Sequence, residues 1–201
     1  MVKMSIPNRI LLLIAAHLSG YLIVSGIEKY DPWTKLYFTV AFGVLVLACL
    51  LLMLFGFEVL NNTVVVLIAT VIPLSLSSGI ISNYFHHYKI GYLIFAVVGL
   101  LGIWITRIRK SSFFATVVLA IVHGLAGLVI TVMPVVLISI GKATPRFIFV
   151  AAGGAAIGIA GLILAFLKLG KNTNLVSKDM VYRIFPTLLL VVTALFVLGL
   201  S

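Results

Sequence analysis

Long uncharged apolar segments, separated by short polar gaps, follow one another along the whole chain. Most of them reach the ~17–25 residues that a helix needs to cross the hydrocarbon core of a bilayer. Strict alternation of apolar and polar residues, which is typical of transmembrane strands, is not seen in these segments. The pattern therefore predicts seven transmembrane helices. They cover residues 10–27, 36–57, 64–85, 90–106, 113–140, 147–167 and 184–200.

The composition agrees with this pattern. Of the 201 residues, 63% are hydrophobic and only 9% are charged, whereas about a quarter of a soluble domain is charged. We therefore expect an all-α polytopic helical bundle in the lipid bilayer, forming a single transmembrane domain over residues 1–201 with no separate soluble domain. The first segment has the basic flank of a signal peptide, but its length and the lack of an A-x-A site favour a retained helix.

The basic residues lie mostly in the gaps, and their distribution predicts the orientation of the chain. The net charge is +10, and nine Lys and Arg fall on one side of the predicted membrane against five on the other. Because Lys and Arg accumulate on the cytoplasmic side, we expect the N-terminus inside and the C-terminus outside a cell or plasma membrane. The inner set is Lys3, Arg9, Arg107, Arg109, Lys110, Lys168, Lys171, Lys178 and Arg183. No polar basic module is present, so a nucleic-acid partner is not expected.

Two proline-containing segments suggest an internal repeat. Residues 67–73 resemble residues 128–134, and each copy is followed at the same distance by a basic residue, Arg107 or Lys168. This spacing is typical of the parallel helix-hairpin repeats found in some transporters. We also expect Pro73 and Pro134 to bend or end their helices, the second of them well before Ile140.

The acidic residues are few and lie at the ends of the predicted helices, at Glu28, Asp31, Glu58 and Asp179. No carboxylate lies at mid-membrane, where many ion-coupled transporters place one. Paired-carboxylate catalysis is therefore not available, and the sequence contains no nucleophile-elbow, phosphate-loop, HExxH or CxxC motif. The chain is not expected to be an enzyme on its own.

Two intramembrane histidines are the leading chemical candidates. His17 and His123 lie on two predicted helices of the same direction, at similar depths, and a mid-membrane ionisable residue is a functional-site candidate. Two facing imidazoles are the usual ligands of a six-coordinate haem iron. Gly20 and Gly127 would leave room for the macrocycle, and Arg9 would neutralise the propionates. This hypothesis predicts an electron-transfer protein or respiratory-complex subunit that binds haem b.

Other interpretations remain open. Each histidine also fits a packing role, with a hydrogen bond to a hydroxyl or a carbonyl group. The predicted hairpins and prolines suit a carrier for a small or lipid-like solute. A small-residue face containing Gly154 and Gly158 suits an accessory subunit that packs against a membrane-protein partner or a second copy of itself.

Overall fold

In the residues that it describes, the computed structural model has seven α-helices, as the apolar segments predicted. It describes residues 4–108, 112–168 and 178–201, apart from the side chains of residues 61, 63, 112–113, 160–179 and 181. The helices are α1 (Ile6–Tyr21, continued by one π turn, Leu22–Gly26), α2 (Pro32–Phe55), α3 (Thr63–Tyr84), α4 (Lys89–Ile108), α5 (Ser112–Ser139), α6 (Ile148–Lys168) and α7 (Lys178–Leu200).

The all-α membrane architecture is confirmed. In the described part of the chain, six helices are long and apolar enough to cross a bilayer. The seventh, α6, contributes a shorter apolar stretch, Pro145–Ile159, beyond which its side chains are not described. The chain is an integral membrane protein.

The helix starts follow local polar chemistry. Ser5, Asp31 and Asn62 precede α1, α2 and α3, and their side chains accept hydrogen bonds from free backbone N–H groups of the first turn. Such caps satisfy donors that have no partner within the helix. Gly56 ends α2 with a φ of 70°, a backbone conformation that side chains with a Cβ rarely adopt.

Six of the helices form a ring. Each of α1, α2, α3, α5, α6 and α7 packs against the next, and α7 packs back on α1. Helix α4 lies outside this ring, against α3 and α5. The α3–α4 and α5–α6 hairpins therefore occupy unlike positions, and the internal repeat stays a prediction.

The two prolines do not end their helices. Helix α3 continues through Pro73 to Tyr84, and α5 continues through Pro134 to Ser139. Of the two predicted outcomes, an end of α5 well before Ile140 does not occur, whereas a bend at either proline stays a prediction. A proline removes only one backbone donor, and a helix in lipid must keep its remaining backbone groups paired internally.

Within the described residues, the interior of the bundle is mainly apolar, and its buried polar side chains are those of Ser and Thr. Phe42 and Phe196 meet edge to face from α2 and α7, with ring centroids 6.1 Å apart. The buried hydroxyls of Ser19 and Thr193 donate to carbonyl oxygens of their own helices, at 2.9 Å and 2.7 Å. These bonds satisfy the hydroxyls locally, so they do not form a polar path through the ring.

The predicted orientation rests on a count of basic residues. Six of the counted residues lie outside the described residues or side chains, namely Lys3, Arg109, Lys110, Lys168, Lys171 and Lys178. The orientation can therefore be tested by labelling. With the buried Cys49 replaced by serine, Ser201→Cys should react with an impermeant maleimide from outside intact cells. Ser5→Cys should react only after permeabilisation. The reverse pattern would contradict the predicted orientation.

Candidate functional site

His17 lies on the outer, lipid-facing side of α1. It shares that side with the exposed residues Ile10, Leu13 and Tyr21, while Leu12, Ala15 and Ser19 face the core. Its Nδ1 lies 2.9 Å from the carbonyl oxygen of Leu13. Because a carbonyl can only accept, this nitrogen carries the proton, and the imidazole is satisfied by its own helix.

His123, unlike His17, lies on the inward face of its helix, α5. Ile130 and Pro134 follow it by seven and eleven residues, and so share its face of the helix. Both are buried, whereas His123 itself is exposed. The lipid-facing stripe of α5, which includes Leu125 and Leu128, lies on the other side. An exposed residue on an inward face shows that the bundle is open at this level.

The opening lies between α5 and α6. A Cβ atom placed on Gly154 of α6 would come within 2.7 Å of the Ile130 side chain and 3.3 Å of its backbone carbon. One turn further toward the end of the bundle where α1 begins, a Cβ on Gly127 or Gly158 would meet nothing within 4 Å. The described residues of the two helices are therefore in contact at Gly154 and leave open space beside Gly127 and Gly158. We call this gap, lined by Ala120, His123, Gly127 and Gly158, the crevice.

Helix α3 shows the same asymmetry. Residues 76–82 are buried on all sides, but residues 65–69 and 71–73 are only half-buried. The first group lies near the end of the bundle where α7 ends, and the second lies near the end where α1 begins. The bundle is thus tightly packed at its C-terminal end and looser at its N-terminal end, where the crevice opens.

The C-terminal end is closed by contacts between the α1–α2 connection and the end of α7. The Lys29 Nζ atom donates to the Ser201 carbonyl oxygen at 2.7 Å, and the Tyr30 hydroxyl donates to that of Leu200 at 3.2 Å. We call these two hydrogen bonds the closing contacts. The Tyr30 ring also meets Phe38 edge to face, with centroids 5.1 Å apart.

The electrostatics of the closing contacts follow from their surroundings. Burial, and to a lesser degree the neighbouring Tyr84, raise the pKa of Tyr30, so the phenol keeps the proton that it donates to Leu200. Burial and the charge of Arg146 lower the pKa of Lys29. Burial tends to raise the pKa of the Asp31 carboxyl, but hydrogen bonds from Thr34 and Trp33 and the nearby His86 outweigh it and lower that pKa.

The predicted haem ligands are not brought together. Helices α1 and α5 are separated in the ring by two helices on either side, and His17 points away from the interior. Gly20 lies beside His17 on α1, with open space around its Cβ position, and so does not share a gap with Gly127. Arg9 is exposed at the start of α1. These residues do not fit one haem between the two histidines of a single chain, and that assignment stays a prediction without support from the geometry.

Gly154 and Gly158, the pair predicted to pack against a partner, lie in different surroundings. Gly154 is buried against Ile130 and Thr131 of the same chain, whereas Gly158 is exposed. The sequence marked His123, Gly127 and Gly158 as separate candidates. Sequence spacing could not predict that the three residues lie together, because this depends on how α5 and α6 pack against each other.

No protein-family model, curated protein or solved structure matches this chain.

Proposed function

We propose that the protein is a membrane carrier for a small or lipid-like solute, which enters through the crevice. The observation that supports this is the one-sided opening of the bundle. His123 and Gly158 are exposed, although the residues on the same helix faces nearer the C-terminal end are buried. A carrier must present its site to one side of the membrane at a time, and a bundle open at one end is one half of that cycle.

In the other half of the cycle, the N-terminal end of the bundle would close and the C-terminal end would open. Closing the crevice would bring Gly127 and Gly158 together, as Gly154 and Ile130 already are. Opening the other end would break the closing contacts of Lys29 and Tyr30. The two helices would pivot at Gly154, because the missing side chain lets α6 lie close against Ile130 and Thr131 of α5.

The electron-transfer hypothesis has less support. A bis-histidine haem needs both imidazoles at one iron, but His17 faces lipid and is already bonded to Leu13. An accessory subunit would need a partner chain to cover His123 and Gly158. The carrier accounts for their exposure within a single chain.

Cysteine accessibility tests the proposal without knowledge of the solute. In a Cys49→Ser background, Gly127→Cys should react with a charged, impermeant methanethiosulfonate that is added on the side of the N-terminal end. The reaction requires the thiolate, which forms in a hydrated crevice but not in hydrocarbon.

Leu128→Cys is the matched control, because Leu128 is 59% exposed and lies one residue on, in the lipid-facing stripe. It should react at least about tenfold more slowly than Gly127→Cys, for the same reason. Equal, slow reaction at both positions would mean that no hydrated crevice exists, and the carrier proposal would be abandoned.

A further inference from the structure

The helices around the crevice share an unusual charge pattern. Residues 59–178, which include α3, α4, α5 and α6, contain no Asp or Glu, but they contain nine Lys and Arg. The four acidic residues of the chain, Glu28, Asp31, Glu58 and Asp179, lie outside this stretch. A cationic solute would therefore find no carboxylate on any helix that borders the crevice.

We infer that the solute is an amphipathic anion, with one acidic headgroup bound at His123 and an apolar body lying in the crevice. This inference rests on the proposed carrier function and names its substrate class. No Asp or Glu on α5 or α6 offers a counter-charge to a cation. A charged group at this depth needs a partner, because leaving it unpaired in a low-dielectric region is costly.

His123 has the free hydrogen-bonding capacity that this role needs. Among the described residues, it makes no hydrogen bond, in contrast to His17, which is bonded to Leu13. An imidazole N–H donates to a carboxylate, sulfonate or phosphate oxygen, and such charge-assisted bonds are stronger than neutral ones. The residue is thus an unused donor inside the crevice, one helical turn nearer its mouth than Gly127.

The end of the bundle at which the crevice opens also carries a basic side chain, on α4. Arg107 ends α4 at the N-terminal end of the bundle, and within the described structure its Nε is buried without a hydrogen-bond partner. Glu58 precedes α3 and Asp179 lies in α7, but neither α5 nor α6, which border the crevice, carries an acidic residue. The positive charge of Arg107 attracts anions toward this end of the bundle, and so favours the same sign of ligand as the N–H donor of His123.

A pair of probes that differ only in the charge of the headgroup tests the inference. The full-length protein in nanodiscs of zwitterionic lipid is titrated calorimetrically with hexanesulfonate and with hexyltrimethylammonium, whose charges do not change with pH. Hexanesulfonate should bind at least about tenfold more tightly. His123→Leu should weaken its binding about ten- to hundredfold, the usual effect of losing a hydrogen bond to a charged group. His17→Leu is the matched control and should leave both affinities unchanged.

The source of the anion is distinguished by a second bilayer. With phosphatidylglycerol in the nanodisc, a lipid headgroup that occupies the crevice would weaken hexanesulfonate binding to the wild-type protein but not to His123→Leu. If phosphatidylglycerol leaves the affinity for hexanesulfonate unchanged, the natural ligand is a free solute. Both results agree with an anionic ligand. Equal or tighter binding of the ammonium probe, or no binding of either probe, would overturn the inference. If Gly127→Cys is labelled all the same, the carrier proposal stands without it.

Discussion

Gly79→Leu should destabilise the bundle more than any other single substitution discussed for this chain. Gly79 lies on α3, and a Cβ atom there would come within 2.3 Å of the Phe38 ring on α2. Phe38 is only 1% exposed and belongs to the main apolar core, so the ring has no free space to enter. Overpacking a dense core usually costs about 1–3 kcal/mol and sometimes more. We expect a loss near or above the upper value.

The measurement is the unfolding temperature of the detergent-solubilised protein. Gly43→Leu on α2 is the matched control, since a Cβ on Gly43 meets nothing within 4 Å, and it should change that temperature little. Gly79→Ala should fall between the two variants. If Gly79→Leu were as stable as the control, the close approach of α2 and α3 would be wrong.

The number and approximate limits of the helices were predictable, because the length of an apolar segment is set by the thickness of the bilayer. The predicted run 64–85 became α3, Thr63–Tyr84, and the run 113–140 became α5, Ser112–Ser139. The last helix was underestimated. It begins at Lys178, six residues before the predicted run, because charged residues such as Arg183 extend a helix beyond the hydrocarbon region.

The direction in which each helix faces was not predictable in the same way. In a soluble bundle the apolar stripe identifies the core, but in lipid both sides of a helix are apolar. His17 therefore looked like an interior residue, whereas its bond to the Leu13 carbonyl lets it lie on the lipid-facing side. His123 lies on the same face of α5 as the buried Ile130 and Pro134, but the partner that sequence reasoning gave it lies across the ring.

Contacts between distant parts of the chain were also beyond sequence reasoning. The closing contacts join residues that are separated by 172 positions for Lys29 and Ser201 and by 170 for Tyr30 and Leu200. Both acceptors are backbone carbonyls, so no side-chain pattern marks them. The glycine at position 154 also indicated a close helix contact, but the sequence did not indicate that the contact would be with Ile130 of the same chain.

Removing the closing contacts should shift the bundle toward the state that is open at its C-terminal end. The double variant Lys29→Met, Tyr30→Phe removes two hydrogen-bond donors while keeping side chains of similar size. Each bond contributes about 0.5–1.5 kcal/mol. Their combined loss of about 1–3 kcal/mol would change the ratio of the two states roughly 5–150-fold, provided that the bonds exist only in the closed-end state.

The shift is measured by labelling Gly127→Cys from each side of the membrane in this double variant. Reaction from the side of the C-terminal end should become at least about fivefold faster, the lower limit of the expected change in population, while reaction from the other side should slow. Tyr88→Phe is the control, because Tyr88 lies at the same end of the bundle, is 67% exposed and takes no part in the closing contacts. A double variant that keeps the wild-type labelling pattern would show that the C-terminal end does not open. The crevice would then be a one-sided binding site, and the protein would bind its ligand without carrying it across the membrane.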